Sequence, residues 1–557
     1  MEDNNLRYDI ADKRLTYSGS ETVLNFNYDR ILEFNHRHSS VLKGYDLELK
    51  ECQILTLSDV INGKSNLGTL RNRRLRQSII LSSALSAVAT GLHGCGSLNN
   101  YPKKEQTKDK ANELKRANDR TAAQVMAETL QTTTRTLPVG EEVLIESSIT
   151  EGVRVKPGKE VGGNPTIAVG AVFGKKEHQA LYGLEMPPNV SLLSMGNDVI
   201  DGTTKSVKGL HSSLTALFVT EAHMKRHLPD IYVQRWLNGA NFSNFNPREA
   251  TNVEIAKKFA DAYGHSDLNK LSAFFLDRPR HYPAIEELNK ASVATPYDKD
   301  GDLIPAIVLG LEGLNFSDGR NLSSMIGEIG GSAEWAVGVL PLIWRGGNAI
   351  GMLTSQSTLT RTDLSPQEKW DQRFNFTEEE FMMIQDARFE RKPYFTIDDI
   401  LDDPFAGGIA SYGAITDNYL VPQLKGVKAN IESGEISVNV LTVNSLGIVE
   451  IWKMVFKANK NIDHTIDMMA CPKEELITLD KSNLEKRIGE YLSDIESRQR
   501  FRIFFNNEYY PALIPVRGKM FMLHKAIESL IKRGALNEKD REIVEITERL
   551  EPSWFTN

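Results

Sequence analysis

Cysteine is almost missing from this chain: only Cys52, Cys95 and Cys471 occur in 557 residues. They lie far apart and form no Cys-x-x-Cys pair. That argues against a paired-thiolate zinc site and against a disulfide framework, and it fits a reducing compartment. Long apolar runs are also lacking. The most apolar early stretch, Ile79 to Leu92, is broken by serines and a threonine and falls short of the ~20 apolar residues of a membrane span. The start, Met1-Glu2-Asp3-Asn4-Asn5, is acidic and polar, unlike a signal peptide. A cytoplasmic chain without a membrane partner is the expectation. There is no positive excess either, with a formal net charge of −8. A general nucleic-acid binder is therefore excluded. The one basic cluster, Arg71-Asn72-Arg73-Arg74-Leu75-Arg76, reads as a solvated helix start, with an anion or partner site as the alternative.

The remaining composition, 40% hydrophobic and 25% charged, is that of a globular protein. At ~150 residues per domain the length implies three or four units, or fewer around a large α/β core. Residues 1–70 read as an accessory N-terminal segment. Residues 71–250 form a first half, with a polar insertion at about 97–117. Residues 251–460 form a second α/β half, and 461–557 a mostly helical C-terminal extension. Short β-prone runs such as Val143-Leu144-Ile145, Thr166-Ile167-Ala168-Val169 and Leu214 to Val219 alternate with helical patterns such as Val253 to Tyr263 and Ala333 to Trp344. Ile436 to Val443 and Gly447 to Phe456 read as a hairpin. This alternation predicts a layered α/β architecture.

The stretch with the most chemistry is Asp198-Val199-Ile200-Asp201-Gly202-Thr203, which follows the apolar run Val190 to Leu193. Two carboxylates at a strand end offer hard oxygen ligands for a divalent cation. Gly202 lets the backbone approach a ligand, Thr203 adds a hydroxyl, and a following helix start favours a phosphate. Composition alone leaves a capped turn as the competing reading.

In context the stretch resembles the Asp-Pro-x-Asp/Glu-Gly-Thr signature of the lithium-sensitive, Mg²⁺-dependent sugar and inositol phosphatases. Other segments match one branch, the class II fructose-1,6-bisphosphatases, in family order. They are Pro229-Asp230-Ile231-Tyr232, Asp277-Arg278-Pro279-Arg280-His281, Asp300-Gly301-Asp302, Ile329-Gly330-Gly331-Ser332-Ala333-Glu334, Thr396 to Ile400 and Gly413 to Asp417. The resemblance covers roughly Arg76 to Lys457. It implies an α-β-α-β-α sugar-phosphatase fold with N- and C-terminal extensions, hydrolysis of a sugar bisphosphate, Mg²⁺ or Mn²⁺ as cofactor, and a homo-oligomer. It assigns metal binding to Asp119, Glu146, Asp198, Asp201 and Glu334. Thr203, Glu151 and Asp201 become catalytic. Tyr232, Arg280, Asp300, Asp302, Gly202 and Thr203 become substrate contacts.

The departures matter equally. An ungapped reading from Val143 sets Glu146 on the first Glu of the family's Gly-Glu-Gly-Glu-x-Asp-Glu-Ala-Pro segment. Ser148 then replaces the second Glu, and Thr150 replaces the Asp linked to proton transfer. Gly91 stands where the family carries a phosphate-binding Lys. The alternative reading is therefore a catalytically impaired relative that binds sugar phosphate or a protein partner.

Overall fold

The computed structural model of the protein describes residues 6–470, except 14, 60–62, 64–65, 152–165, 168–170, 176–177, 179–186, 227, 230, 387–388 and 390–393, and the backbone of 475–478, 501–505 and 508–512. Asp230, Cys471, the end of the Thr166–Val169 run and most of the C-terminal extension thus lie outside the described residues.

The first strands are β1 (Thr22–Asn25), β2 (Leu47–Ser58), β3 (Val143–Thr150), β4 (Val172–Phe173), β5 (Ser191–Asp201) and β6 (Leu214–Thr220). Next come β7 (Tyr232–Asn238), β8 (Ser324–Gly331) and β9 (Asn348–Thr354). The last are β10 (Gly408–Ala414), β11 (Lys428–Asn430), β12 (Glu435–Asn444) and β13 (Val449–Ala458). A ten-stranded sheet runs β1-β2-β13-β12-β10-β6-β5-β3-β4, with β11 paired to β12. Within it β3 and β5 are parallel, and the other neighbours are antiparallel. A three-stranded antiparallel sheet has the order β8-β7-β9.

Side-chain alternation along these strands generates the layers. On β6, Leu217 and Val219 join a core with α1 (Arg73–His93) and α2 (Lys108–Arg135). Leu214, Ala216 and Phe218 face the other way. They meet α4 (Leu303–Val308) and α5 (Ser332–Trp344), which also cover Val233 and Leu237 of β7. The far face of the small sheet, with Trp236, Ile326 and Ile350, packs on the helices Asn252–Ala262 and Tyr282–Lys290. The result is the α-β-α-β-α succession that the resemblance implies. The hairpin expected at Ile436 to Phe456 is present as β12–β13.

Three segments differ from the sequence-based expectation. The described part of the N-terminal segment joins the body: β1 and β2 extend the large sheet, and Arg7–Asp9 pairs in parallel with Thr295–Asp298. The polar stretch at 97–117 is not an exposed loop throughout, because α2 already begins at Lys108, with the Thr107 side chain accepting from Lys110 N. Its polar residues line the solvated side of a helix whose inner side reaches the core. In the C-terminal extension, Phe501–Phe505 and Glu508–Ala512 are paired strands rather than helix.

The span Arg73–Asn100, α1 and the turns after it, is long and apolar enough to cross a membrane, but most of its apolar stretch is buried within the fold. Two of its serines bind it to α2. Ser82 and Ser86 donate to the α2 carbonyls of Met126 and Ala122 at 2.9 and 2.8 Å. Each such bond contributes about 1 kcal/mol and avoids a buried unsatisfied hydroxyl.

Candidate active site

The C-terminal end of β5 carries Asp198 and Asp201, both buried. Gly202 follows at φ 76°, in the left-handed region, and opens the short helix α3 (Thr203–Lys208). A Cβ on Gly202 would also lie 3.1 Å from Ser212 O, so glycine suits this turn both by conformation and by space. Thr203 Oγ1 lies 3.3 Å from Asp119 Oδ1 and 3.1 Å from Ile200 O, either of which can accept its proton. Asp119 arrives from α2, where its neighbour Asn118 ties the helix to Gly94 O and Ser206 Oγ.

Glu334 enters from the first turn of α5. Gly331 precedes it because a Cβ there would lie 1.9 Å from Glu334 Oε2. Burial raises the Asp198 carboxyl well above its ordinary range, and Glu151, Asp201 and Glu334 push it further. Burial likewise raises Glu334, followed by Glu151 and Asp302, with Arg235 opposing. Asp201 is raised by burial and by Asp302 and Asp300, although Leu303 N donates to its Oδ2 at 3.2 Å. Asp198, Asp201, Glu151 and Glu334 therefore share one field, with Asp302 and Asp300 at its other side.

Glu146 does not join them. It sits opposite Ser194 in the β3–β5 register, four residues before Asp198, or ~13 Å along a strand. At the strand end Thr150 pairs with Asn197, and Glu151 N donates to Asn197 O. Glu151, followed by Gly152, is thus the strand-end carboxylate, and the ungapped placement of Glu146 is corrected to Glu151. Ser148 and Thr150 change meaning with it. Thr150 Oγ1 bonds Thr166 Oγ1 and Asn197 Oδ1 at 2.8 and 2.9 Å, which ties strands together. Ser148 Oγ turns back to Glu146 O at 3.4 Å. The residues after Glu151, from 152 to 165, lie outside the described set.

The other side of the site is basic. Arg280 Nε and Nη2 donate to Ile329 O at 3.1 and 2.7 Å, and its guanidinium lies 4.7 Å from the Tyr232 ring centre. His281 is fully buried. Its Nδ1 lies 2.7 Å from Leu276 O, and its Nε2 accepts from Ile329 N at 2.9 Å. Burial lowers its pKa strongly, so it is a neutral brace. Asp300 sits 3.6 Å from Arg278 Nη2. Gly301 (φ 80°) brings this turn against Asp201: a Cβ there would lie 3.3 Å from Asp201 Oδ2.

Several residues of this region escaped the sequence reading. Arg235 of β7 is fully buried, and its Nη2 donates to Asp302 Oδ2 at 2.7 Å. Its Nε lies 2.8 Å from Glu328 Oε2 but out of hydrogen-bond alignment. Burial disfavours its charge, yet Asp302, Glu328 and Glu334 outweigh that and raise its pKa. A Cβ on Gly330 would sit 1.5 Å from Arg235 Nη2, which explains the first glycine of the Gly-Gly pair. Only a partial signal was available: Arg235 shares the parity of Val233 and Leu237, but Gln234 and Asn238 leave the strand without a clean apolar pattern. Lys205 is buried against Asp298 at 2.5 Å. Lys115, one turn before Asp119 on α2, is half-buried near Asp300 and Asp119. Gly91, by contrast, packs against Val427.

A family model described as bacterial fructose-1,6-bisphosphatase, glpX-encoded, matches residues 111–445. The chain belongs to this family. Among curated relatives, D-fructose 1,6-bisphosphatase class 2/sedoheptulose 1,7-bisphosphatase of Trichodesmium erythraeum is 25% identical over 177 residues, covering 31% of this chain and 48% of the relative. The proteins of the same name from a Synechococcus and a Synechocystis are 23% and 22% identical, covering 36% of this chain and 54% and 56% of the relatives. The chain spans about half the length of the curated relatives it matches.

The donor set suits a hard divalent ion by type and charge: it is all oxygen, buried and crowded with carboxylates. Glu334 Oε2 is buried without a hydrogen-bond partner among the described residues. The same side chains are not drawn into a ready three-ligand cage among the described residues. The fit therefore rests on chemistry and charge, with Asp119, Glu151, Asp198, Asp201 and Glu334 as the residues that would hold such an ion.

Proposed function

We propose that this chain is a phosphoric monoester hydrolase acting on a sugar bisphosphate, such as fructose 1,6-bisphosphate or a related sugar phosphate, with Mg²⁺ or Mn²⁺ and in the cytoplasm. The observation that carries the reading is the cluster of buried carboxylates around Asp198 and Asp201, with the Gly202–Thr203 turn beside it and the Asp300–Asp302 turn packed against Asp201. When bound, the ion supplies Lewis-acid polarisation of the phosphoryl group and acidification of water.

The chain's own residues do the rest. Thr203 Oγ1, by donating to Asp119, points its lone pairs toward a water and orients it. Asp119 then accepts a proton through that hydroxyl. Such assistance contributes typically ~10²–10⁴-fold. Arg280 spends two N–H groups on Ile329 O and so holds its fork rigid for the phosphate that is kept. Asp300 and Asp302 accept sugar hydroxyls. With Glu151 on the first Glu of the family segment, Ser148 and Thr150 become structural, while Val153 and Val155 fall on its second Glu and its Asp, so a catalytically impaired relative that binds sugar phosphate is the second reading.

The test is phosphate release from sugar mono- and bisphosphates with Mg²⁺ or Mn²⁺, alongside Asp198→Asn. The substitution is expected to cost at least ~100-fold, since even outer-shell changes at metal sites cost ~10–100-fold. Release that survives Asp198→Asn sinks the assignment.

A further inference from the structure

We infer that the N-terminal arm, Leu6–Ile10, is a working part of the sugar-phosphate site, in which Arg7 is a positioning residue for the substrate-side turns. The inference rests on the proposed function. The arm lies outside the family-matched segment 111–445. Its strand Arg7–Asp9 completes a small parallel sheet with Thr295–Asp298 and Phe275–Leu276. Parallel strands present ligand-binding loops at their carboxyl ends. The two loops at that end are Asp277–Arg280 and Lys299–Asp302, which carry Arg278, Arg280, Asp300 and Asp302.

The arm grips both. Arg7 Nη2 donates to Asp277 Oδ1 at 2.6 Å, and Tyr282 OH donates to the same oxygen at 3.3 Å. The Arg7 guanidinium also lies 4.7 and 5.0 Å from the ring centres of Tyr282 and Tyr297. Asp277 N donates to Asp298 O at 2.7 Å, which links one turn to the other. Thr295 N donates to Leu6 O and Ile10 N to Tyr297 O, which fixes the arm on the strand that leads into Asp300–Asp302. Asp298 in turn holds Lys205, three residues after Gly202. Arg7 thus sets where Arg280 and Asp300 stand without touching substrate itself.

The test uses the full chain and fructose 1,6-bisphosphate. Arg7→Ala and Asp277→Asn are each expected to raise KM about three- to tenfold while kcat stays within about twofold, because substrate-side contacts move and the carboxylate cluster does not. The double substitution should be no worse than either single one, since both break one link. Arg7→Lys should recover part of the loss. Lys50→Ala, at a distant surface pair with Glu435, serves as the control and leaves KM unchanged. Unchanged KM in Arg7→Ala, or additive losses in the double variant, overturns the inference. If the unaltered chain releases no phosphate, the hydrolase reading has failed separately. The same variants are then compared for fructose 1,6-bisphosphate binding by calorimetry, where equal affinity, or no binding at all, overturns the role of the arm.

Discussion

Replacing Arg235 by methionine tests whether the site's inner wall is held by charge. The guanidinium has no solvent exposure and lies 2.7 Å from Asp302 Oδ2 and 2.8 Å from Glu328 Oε2. At an effective dielectric of 20, each contact is worth ~6 kcal/mol of attraction. Desolvation of the buried ions, several kcal/mol each, offsets most of that. Removal of the cation alone leaves Asp302 and Glu328 facing each other in the interior. Burial, then Asp302, already raises Glu328 against the pull of Arg235, to about 7 overall. The expected loss for Arg235→Met is ~3–5 kcal/mol, the usual consequence of an orphaned buried charge. Urea or thermal unfolding followed by circular dichroism reads it. Arg235→Met combined with Glu328→Leu should recover a large part, because one of the stranded carboxylates is gone. A loss under ~1 kcal/mol, or no recovery in the double variant, refutes the view that Arg235 is the electrostatic keystone of this wall.

Glu151→Gln should lower phosphate release by ~100-fold while Glu146→Gln leaves it within about threefold; the opposite ranking would restore the ungapped alignment. Gly330→Ala should abolish activity and lower stability, since its Cβ would lie 1.5 Å from Arg235 Nη2 and 2.5 Å from Asp302 Oδ2; normal turnover would mean the wall shifts freely. His38, buried against Phe34, has its pKa lowered from 6.5 to about 4, chiefly by burial. The unfolded chain binds that proton first, so stability is full above pH 6.5 and falls as pH drops toward 4. The loss is at most ~3 kcal/mol at about 1.4 kcal/mol per pKa unit. His38→Phe should flatten this acid limb, and an unchanged pH profile of the melting temperature would count against it.

Local signals were legible in the sequence. Asp198 to Thr203 is a contiguous strand end, turn and helix start, so its chemistry survives without knowledge of the rest of the fold. The β12–β13 hairpin is equally local. What depends on register is not. Glu146 and Glu151 stand on one short strand, and only the pairing of Thr150 with Asn197 decides which faces Asp198. Polar composition misled at 97–117 because a helix with one wet side reads as a loop until its buried side, at Asn118 and Asp119, is seen. Arg235 and Glu328 meet as cross-strand partners at a bulge next to Gly327 (φ 80°), a feature with no sequence period to reveal it.

The distribution of charge explains why these hidden residues matter. The charges acting most on Asp198 are all carboxylates: Glu151, Asp201 and Glu334. The buried cations nearby are already committed, Arg235 to Asp302 and Glu328, and Lys205 to Asp298. The excess of negative charge around Asp198 favours protons or an external cation there. Around Asp300, Arg278 and Lys115 supply positive charge. A ligand that satisfies both sides must carry an anion at one end and arrive with a cation at the other. A sugar bisphosphate with a divalent ion meets that demand, whereas an uncharged sugar or a lone inorganic anion meets half of it. The pairing of Arg235 with Asp302 and Glu328 holds that cation on the inner wall and leaves the carboxylates around Asp198 as the negative side of the site.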